Sequence, residues 1–192
     1  MKTLLSAAVV VLSVAVAGAA DKETKGKKVE TALDFKVKSI DGKDVDLNTY
    51  KGKVVLFVNV ASQCGYTPQY KGLQALSDKF EKEGLVVIGV PANDFGKQEP
   101  GTDAEIKDFC TTNYKVTFPM LAKVAVKGEK KSPLYQFLTS KETNPEHSGE
   151  VSWNFEKFLI GRKGEIAGRY KSKVAPESDE LNKAIVAELA KK

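Results

Sequence analysis

The chain has 192 residues, 42% of them hydrophobic and 29% charged, which fits one globular domain and excludes a disordered or collagen-like polypeptide. Its 30 Lys and Arg against 25 Asp and Glu leave a net charge of +5. The basic residues are interleaved with acidic ones and the densest runs, Lys25–Lys28 and Lys127–Lys131, are short and broken, so the excess reads as a solvated surface and not as a nucleic-acid face.

Residues 1–20 have the layout of a cleavable secretory signal. Lys2 precedes an apolar run, Leu4–Ala17, and the small residues Gly18, Ala19 and Ala20 precede Asp21. The apolar run falls short of the roughly 20 residues a spanning helix needs. A protein exported to a periplasm or secreted is therefore expected, with no stable membrane insertion after cleavage; an uncleaved anchor is the alternative. Residues 21–31, rich in Lys, Glu and Gly, read as a flexible leader, and residues 32–192 as the domain.

Within the domain, Asp34–Ile40 alternates apolar and polar residues, Asp41-Gly42 is a turn signal, and Asp44–Leu47 alternates back, which predicts an N-terminal β-hairpin. Val54–Val60 is a β-branched run typical of a strand buried on both faces. Pro68, with Thr67 as a plausible N-cap, opens a helix whose Leu73, Leu76 and Phe80 keep helical spacing up to a stop at Gly84. A second buried strand, Leu85–Val90, completes a βαβ unit with parallel strands. A Gly- and Pro-rich loop follows. Thr102–Glu105 fits a capping box for a short helix running to about Thr112, and Thr117–Leu121 reads as strand or turn. Ser132-Pro133 starts another helix. Phe158–Ile160 and Ile166–Tyr170 read as a hairpin, and Leu181, Ala184, Ile185 and Leu189 mark an amphipathic C-terminal helix. The expected fold class is α/β, a mixed central sheet flanked by helices.

Cys64 follows the first buried strand and precedes a helix start, where unpaired N–H groups and the helix dipole favour a thiolate. A small buried thiol with a packing role is the other reading that position leaves open. His147 is the only histidine and lies in a polar loop, which argues against a Cys-His hydrolase; the two cysteines and one histidine show no zinc-finger spacing. There is no Cys-x-x-Cys, no phosphate-binding loop and no dinucleotide fingerprint. A solitary nucleophilic thiol, activated by polar neighbours, remains.

Three segments then carry a resemblance. Residues 58–70 (VNVASQCGYTPQY), 95–101 (FGKQEPG) and 153–159 (WNFEKFL) resemble, in order and spacing, the three motifs of the glutathione peroxidase family, and the likeness extends from about Ala32 to Ala190. It implies a thioredoxin-like fold and a thiol-dependent peroxidase acting on hydrogen peroxide and organic or lipid hydroperoxides. It implies a catalytic tetrad of Cys64, Gln98, Trp153 and Asn154, with neither cofactor nor metal. Cys110 matches the resolving cysteine of the cysteine-containing, thioredoxin-dependent branch, which would attack the Cys64 sulfenic acid to form a disulfide, recycled by a thioredoxin-like protein or glutathione. The short stretch from Leu138 to Trp153 resembles monomeric members. Asp94, where Gln is frequent in the family, is a departure that places a negative charge near the site; Ala92 replaces another family cysteine. Two readings compete with the peroxidase. One is a thiol-disulfide oxidoreductase or peroxide sensor passing oxidation to a partner protein. The other is a protein whose disulfide is only structural.

Overall fold

The structure, a computed structural model, describes residues 29–191; the expected signal and the leader to residue 28 lie outside the described residues. Glu30 and Thr31, at the end of the expected leader, donate their backbone N–H groups to the Asp34 carboxylate (3.1 and 2.9 Å), which Lys51 also pairs at 2.9 Å.

Strands β1 (Lys36–Lys38) and β2 (Asp44–Asp46) form the antiparallel N-terminal hairpin, turning at Gly42 with a left-handed φ of 74°. The central strand β3 (Val54–Val60) is buried at every position. Helix α1 (Gln69–Phe80) crosses over to β4 (Leu85–Pro91), which pairs parallel to β3 from Val54↔Leu85 to Val60↔Pro91. On the other side β5 (Lys157–Ile160) runs antiparallel to β3, and β6 (Ile166–Tyr170) antiparallel to β5, so the sheet order is β4-β3-β5-β6. Helices α2 (Asp103–Tyr114), α3 (Pro133–Thr139) and α4 (Asp179–Ala190) complete the domain.

Side-chain alternation along β3 divides the core in two. Val54, Leu56, Val58 and Val60 face α1, α2 and α4 through Leu73, Ile106 and Leu181. Val55 and Phe57 face α3 and the N-terminal segment through Leu134, Leu138 and Leu33. This is the thioredoxin-like arrangement, a mixed sheet between helical layers.

Residues 117–121 form isolated bridges only: Met120 pairs parallel with Gly89 of β4, and Leu121 antiparallel with Ser39. Pro119 has no N–H to extend a ladder. The close approach requires Gly89, because a Cβ there would lie 2.3 Å from the Met120 sulfur. Helix α2 runs two residues past the expected end. Its capping box is present as expected, with the Thr102 hydroxyl accepting from the Glu105 amide and the Glu105 carboxylate accepting from the Thr102 amide at 2.7 Å.

A buried ion pair ties the residue before β5 to β6. Glu156 is fully buried and accepts from Arg169 Nε, Lys171 Nζ, and the amide and hydroxyl of Ser152. Burial opposes its ionisation, but the Ser152 donors and the two cations outweigh that and hold its carboxyl below the usual range. Arg169 also donates to the carbonyls of His147, Gly149 and Glu150 and lies over the Phe158 ring. No helix among the described residues is long and apolar enough to cross a membrane.

Candidate active site

The chain leaves β3 at its C-terminal end, where α/β sheets characteristically open their crevices. Cys64 follows in a tight turn and is 9% exposed. The Thr67 hydroxyl accepts the Cys64 amide at 3.0 Å and donates to the Ala61 carbonyl at 2.8 Å, which closes the turn. Thr67 is therefore not the helix cap its position suggests. Helix α1 begins at Gln69, and Pro68 occupies the cap position without a side-chain bond. Cys64 stands one turn ahead of the helix, and the amide aimed at its sulfur is that of Tyr66, at 3.4 Å.

Gln98 sits in the loop after β4, following Lys97 with its left-handed φ of 55°. Its backbone carbonyl accepts the amide of Gln63, the residue before Cys64, at 3.0 Å. Its side-chain oxygen accepts the Asn154 amide nitrogen at 2.9 Å. With that oxygen engaged, the free end of the Gln98 amide is its NH2 donor. Asn154 is fully buried, whereas Trp153 is 39% exposed and rests on Phe95, ring centres 5.7 Å apart. Because β5 is antiparallel to β3, Lys157 pairs with Val58 and the segment leading into β5 reaches the same sheet end as the Cys64 turn. The three loops that carry Cys64, Gln98 and Trp153-Asn154 thus converge there.

Asn59 and Phe155 build the frame, and neither stands out as a site residue in the sequence. The Asn59 side chain donates to the Trp153 carbonyl at 2.9 Å, while its backbone exchanges bonds with Phe155 and Glu156. Phe155 is held at φ 62°, a rare conformation for a bulky residue. The available signal was a polar residue inside an apolar strand, Asn59 in VVLFVNV.

Asp94 is held through its Oδ2, which accepts the Val126 amide at 2.8 Å. Glu99 is fully buried, its amide capped by the Asn93 side chain at 2.8 Å, and burial pushes its carboxyl up against the pull of Ser62 and Lys123.

Cys110 lies on α2, 1% exposed, and both cysteines are free thiols in this structure, with no disulfide between them. Both belong to the apolar cluster on the α1/α2 side of the sheet. Burial pushes the Cys110 thiol up to about 11, against a favourable contact with the Tyr70 hydroxyl. Its helix is lightly anchored, with only Ile106 and Cys110 buried along its length. A cleft of 260 Å³ lined by Cys110, Lys107, Ile40 and Met120 flanks it. Among the described residues, no cluster of His, Cys, Asp and Glu could hold a metal ion.

Fold and site together define the class: a thioredoxin-like protein whose sheet end presents one cysteine in place of a Cys-x-x-Cys pair. The chain belongs to the glutathione peroxidase family, whose model matches residues 32–139. It is 51% identical over 146 residues to a glutathione peroxidase-like peroxiredoxin of Schizosaccharomyces pombe, covering 75% of this chain and 90% of the relative. It is 47% identical over 152 residues to a hydroperoxy fatty acid reductase of Synechocystis, covering 77% and 90%. The crystal structure of T. cruzi GPX1 superposes with a TM-score of 0.65 at 32% identity, covering 83% of this chain and 96% of that one.

Proposed function

We propose that this protein is a thiol peroxidase that reduces hydrogen peroxide and organic hydroperoxides at Cys64 and resolves the product with Cys110. The observation that carries the reading is the joining of three distant segments. Gln98 accepts from Gln63 beside Cys64 through its backbone and from Asn154 through its side chain. The Cys64 thiolate attacks one peroxide oxygen, the O–O bond breaks, and the departing alkoxide or hydroxide takes up a proton to leave as alcohol or water. Sulfur is oxidised by two electrons to sulfenic acid. The Gln98 NH2 and Trp153 indole N–H are uncharged donors for the negative charge moving between sulfur and leaving oxygen. Asn154, buried, acts by fixing which end of the Gln98 amide is presented.

In the second step the Cys110 thiol attacks the sulfenic sulfur. The disulfide forms, and the sulfenic oxygen leaves with the Cys110 proton as water. The burial and raised pKa of Cys110 leave little thiolate while α2 is closed, so local opening of α2 precedes this step. An external dithiol of thioredoxin type, or glutathione, then returns both thiols. The N-terminal segment supports export and cleavage, and the short stretch from Leu138 to Trp153 supports a monomer. The Synechocystis relative supports fatty-acid hydroperoxides among the substrates.

The test is a rapid-mixing thiol count on the reduced protein given one equivalent of hydrogen peroxide. Two free thiols should fall to none within seconds. Persistence of both for many minutes would overturn the peroxidase in favour of slow disulfide exchange with a partner.

Opening of α2 has its own expected result. Thr102→Ala removes the hydroxyl of the capping box, at a cost of about 1 kcal/mol to the helix. If that cost falls on the closed form, the open population and the rate of disulfide formation rise about fivefold. Stopped-flow single turnover should show the faster second phase with the first phase unchanged. An unchanged second phase would mean that α2 opening does not limit resolution.

A further inference from the structure

Lys157 opens β5 and no part of it reaches solvent. Its ammonium donates to the Gln69 side-chain oxygen at 2.7 Å and to the Phe155 carbonyl at 2.8 Å. Gln69 is the first residue of α1, just beyond the Cys64 turn, and its own amide nitrogen reaches the Ser172 carbonyl at 2.7 Å. Phe155 directly follows Trp153-Asn154. Its amide N–H goes to the Asn59 carbonyl, so with Lys157 on its own carbonyl this left-handed residue is tied on both sides.

An ammonium taken out of water carries a heavy desolvation penalty, and here both direct partners are uncharged. Burial pushes this one down to about 7, against the pull of Glu177 and Glu156. An apolar side chain of similar volume would avoid that penalty but leave the Gln69 and Phe155 oxygens without their donor, so what the lysine specifically adds is to hold these two acceptors together.

We propose that Lys157 is a positioning residue of the peroxidase site: bonded to Phe155 and Gln69 at once, it locks the left-handed turn carrying Trp153 and Asn154 against the start of the helix that follows Cys64. It touches neither sulfur nor peroxide and acts through Asn154 on the Gln98 amide. The inference rests on the peroxidase reading above.

The test uses Cys110→Ser as background, which isolates oxidation of Cys64 by hydrogen peroxide. Lys157→Met should still fold, with a thermal midpoint close to that of the parent, because the relieved desolvation of the ammonium offsets the two acceptors left unpaired. Its oxidation rate constant should fall at least about tenfold, the scale of a small misplacement of a reacting group. Trp153, the only tryptophan in the chain, should shift its emission as the turn relaxes. Added to Asn154→Ala, Lys157→Met should cost little more, because both changes disable one arrangement. A folded variant whose rate stays within about twofold of the parent, with unmoved Trp153 emission, overturns the proposal, as does a loss that adds in full to that of Asn154→Ala. Should Lys157→Met not fold, Lys157→Gln, too short to reach both acceptors, is judged by the same criteria. Failure of the parent itself to oxidise sinks the peroxidase reading; a normal parent beside an unaffected variant sinks the Lys157 role alone.

Discussion

Cys64→Ser should reduce the rate of peroxide consumption by roughly 10³-fold or more, to the background reaction. A serine hydroxyl is not oxidised by hydroperoxide and is almost wholly protonated near neutrality, so the Tyr66 amide that bonds the Cys64 sulfur would face an inert oxygen. Cys110→Ser should behave differently. The variant should consume about one equivalent of peroxide, stop with Cys64 as sulfenic acid, and fail to turn over with a dithiol protein as reductant. The contrast follows from the surroundings of the two thiols. Cys64 sits in a turn at the open end of the sheet, whereas burial raises the Cys110 thiol to about 11 and leaves almost none of it ionised at neutral pH. Peroxide consumption followed with and without reductant separates the two variants. Substantial turnover by Cys64→Ser would refute the assignment of the reacting sulfur.

The second large effect is on stability. Arg169→Met should destabilise the fold by about 3–5 kcal/mol, because it leaves the Glu156 carboxylate buried with Lys171 as its remaining ionic partner. For a domain of this size that lowers the thermal midpoint by roughly 6–20 °C. The sign with pH follows from the direction of the Glu156 shift. A carboxyl held below its unfolded value of about 4.3 contributes stability above that pH and loses it as pH falls through the folded value. The deficit of Arg169→Met should therefore be largest near neutrality and shrink in acid, where Glu156 can be protonated. Thermal unfolding across that range reads it directly. A deficit constant with pH would place the loss in the carbonyl contacts of Arg169 at 147, 149 and 150.

Most of the scaffold was legible because its signals are local. The apolar runs of β3 and β4, the Asp41-Gly42 turn, the capping box at Thr102 and Pro133 at the first turn of α3 each state their structure within a few residues. Thr67 was misread for an instructive reason. A threonine before proline and a helix has the composition of a cap, but its hydroxyl is committed to the Cys64 amide and the Ala61 carbonyl. Segment 117–121 was ambiguous because its partners, Gly89 and Ser39, are distant in sequence. The expected tetrad rested on the motifs alone. What holds it, Asn59 to Trp153 and Lys157 to Gln69, spans about half the chain, and no local pattern reports such pairs. For Asn59 the clue was a polar residue in the otherwise apolar run Val54–Val60, whereas Lys157 lay just outside the expected strand Phe158–Ile160.

In the proposed two-cysteine cycle, the capping box on α2 would also set how the protein fails. A sulfenic acid has two fates, capture by the resolving thiol or attack by a second peroxide, which carries it to sulfinic acid and ends catalysis. A firmly closed α2 delays the first fate and leaves the second open. In that cycle the three hydrogen bonds between Thr102 and Glu105 would act as a fuse rating, fixing the peroxide concentration above which the protein is consumed by its own substrate.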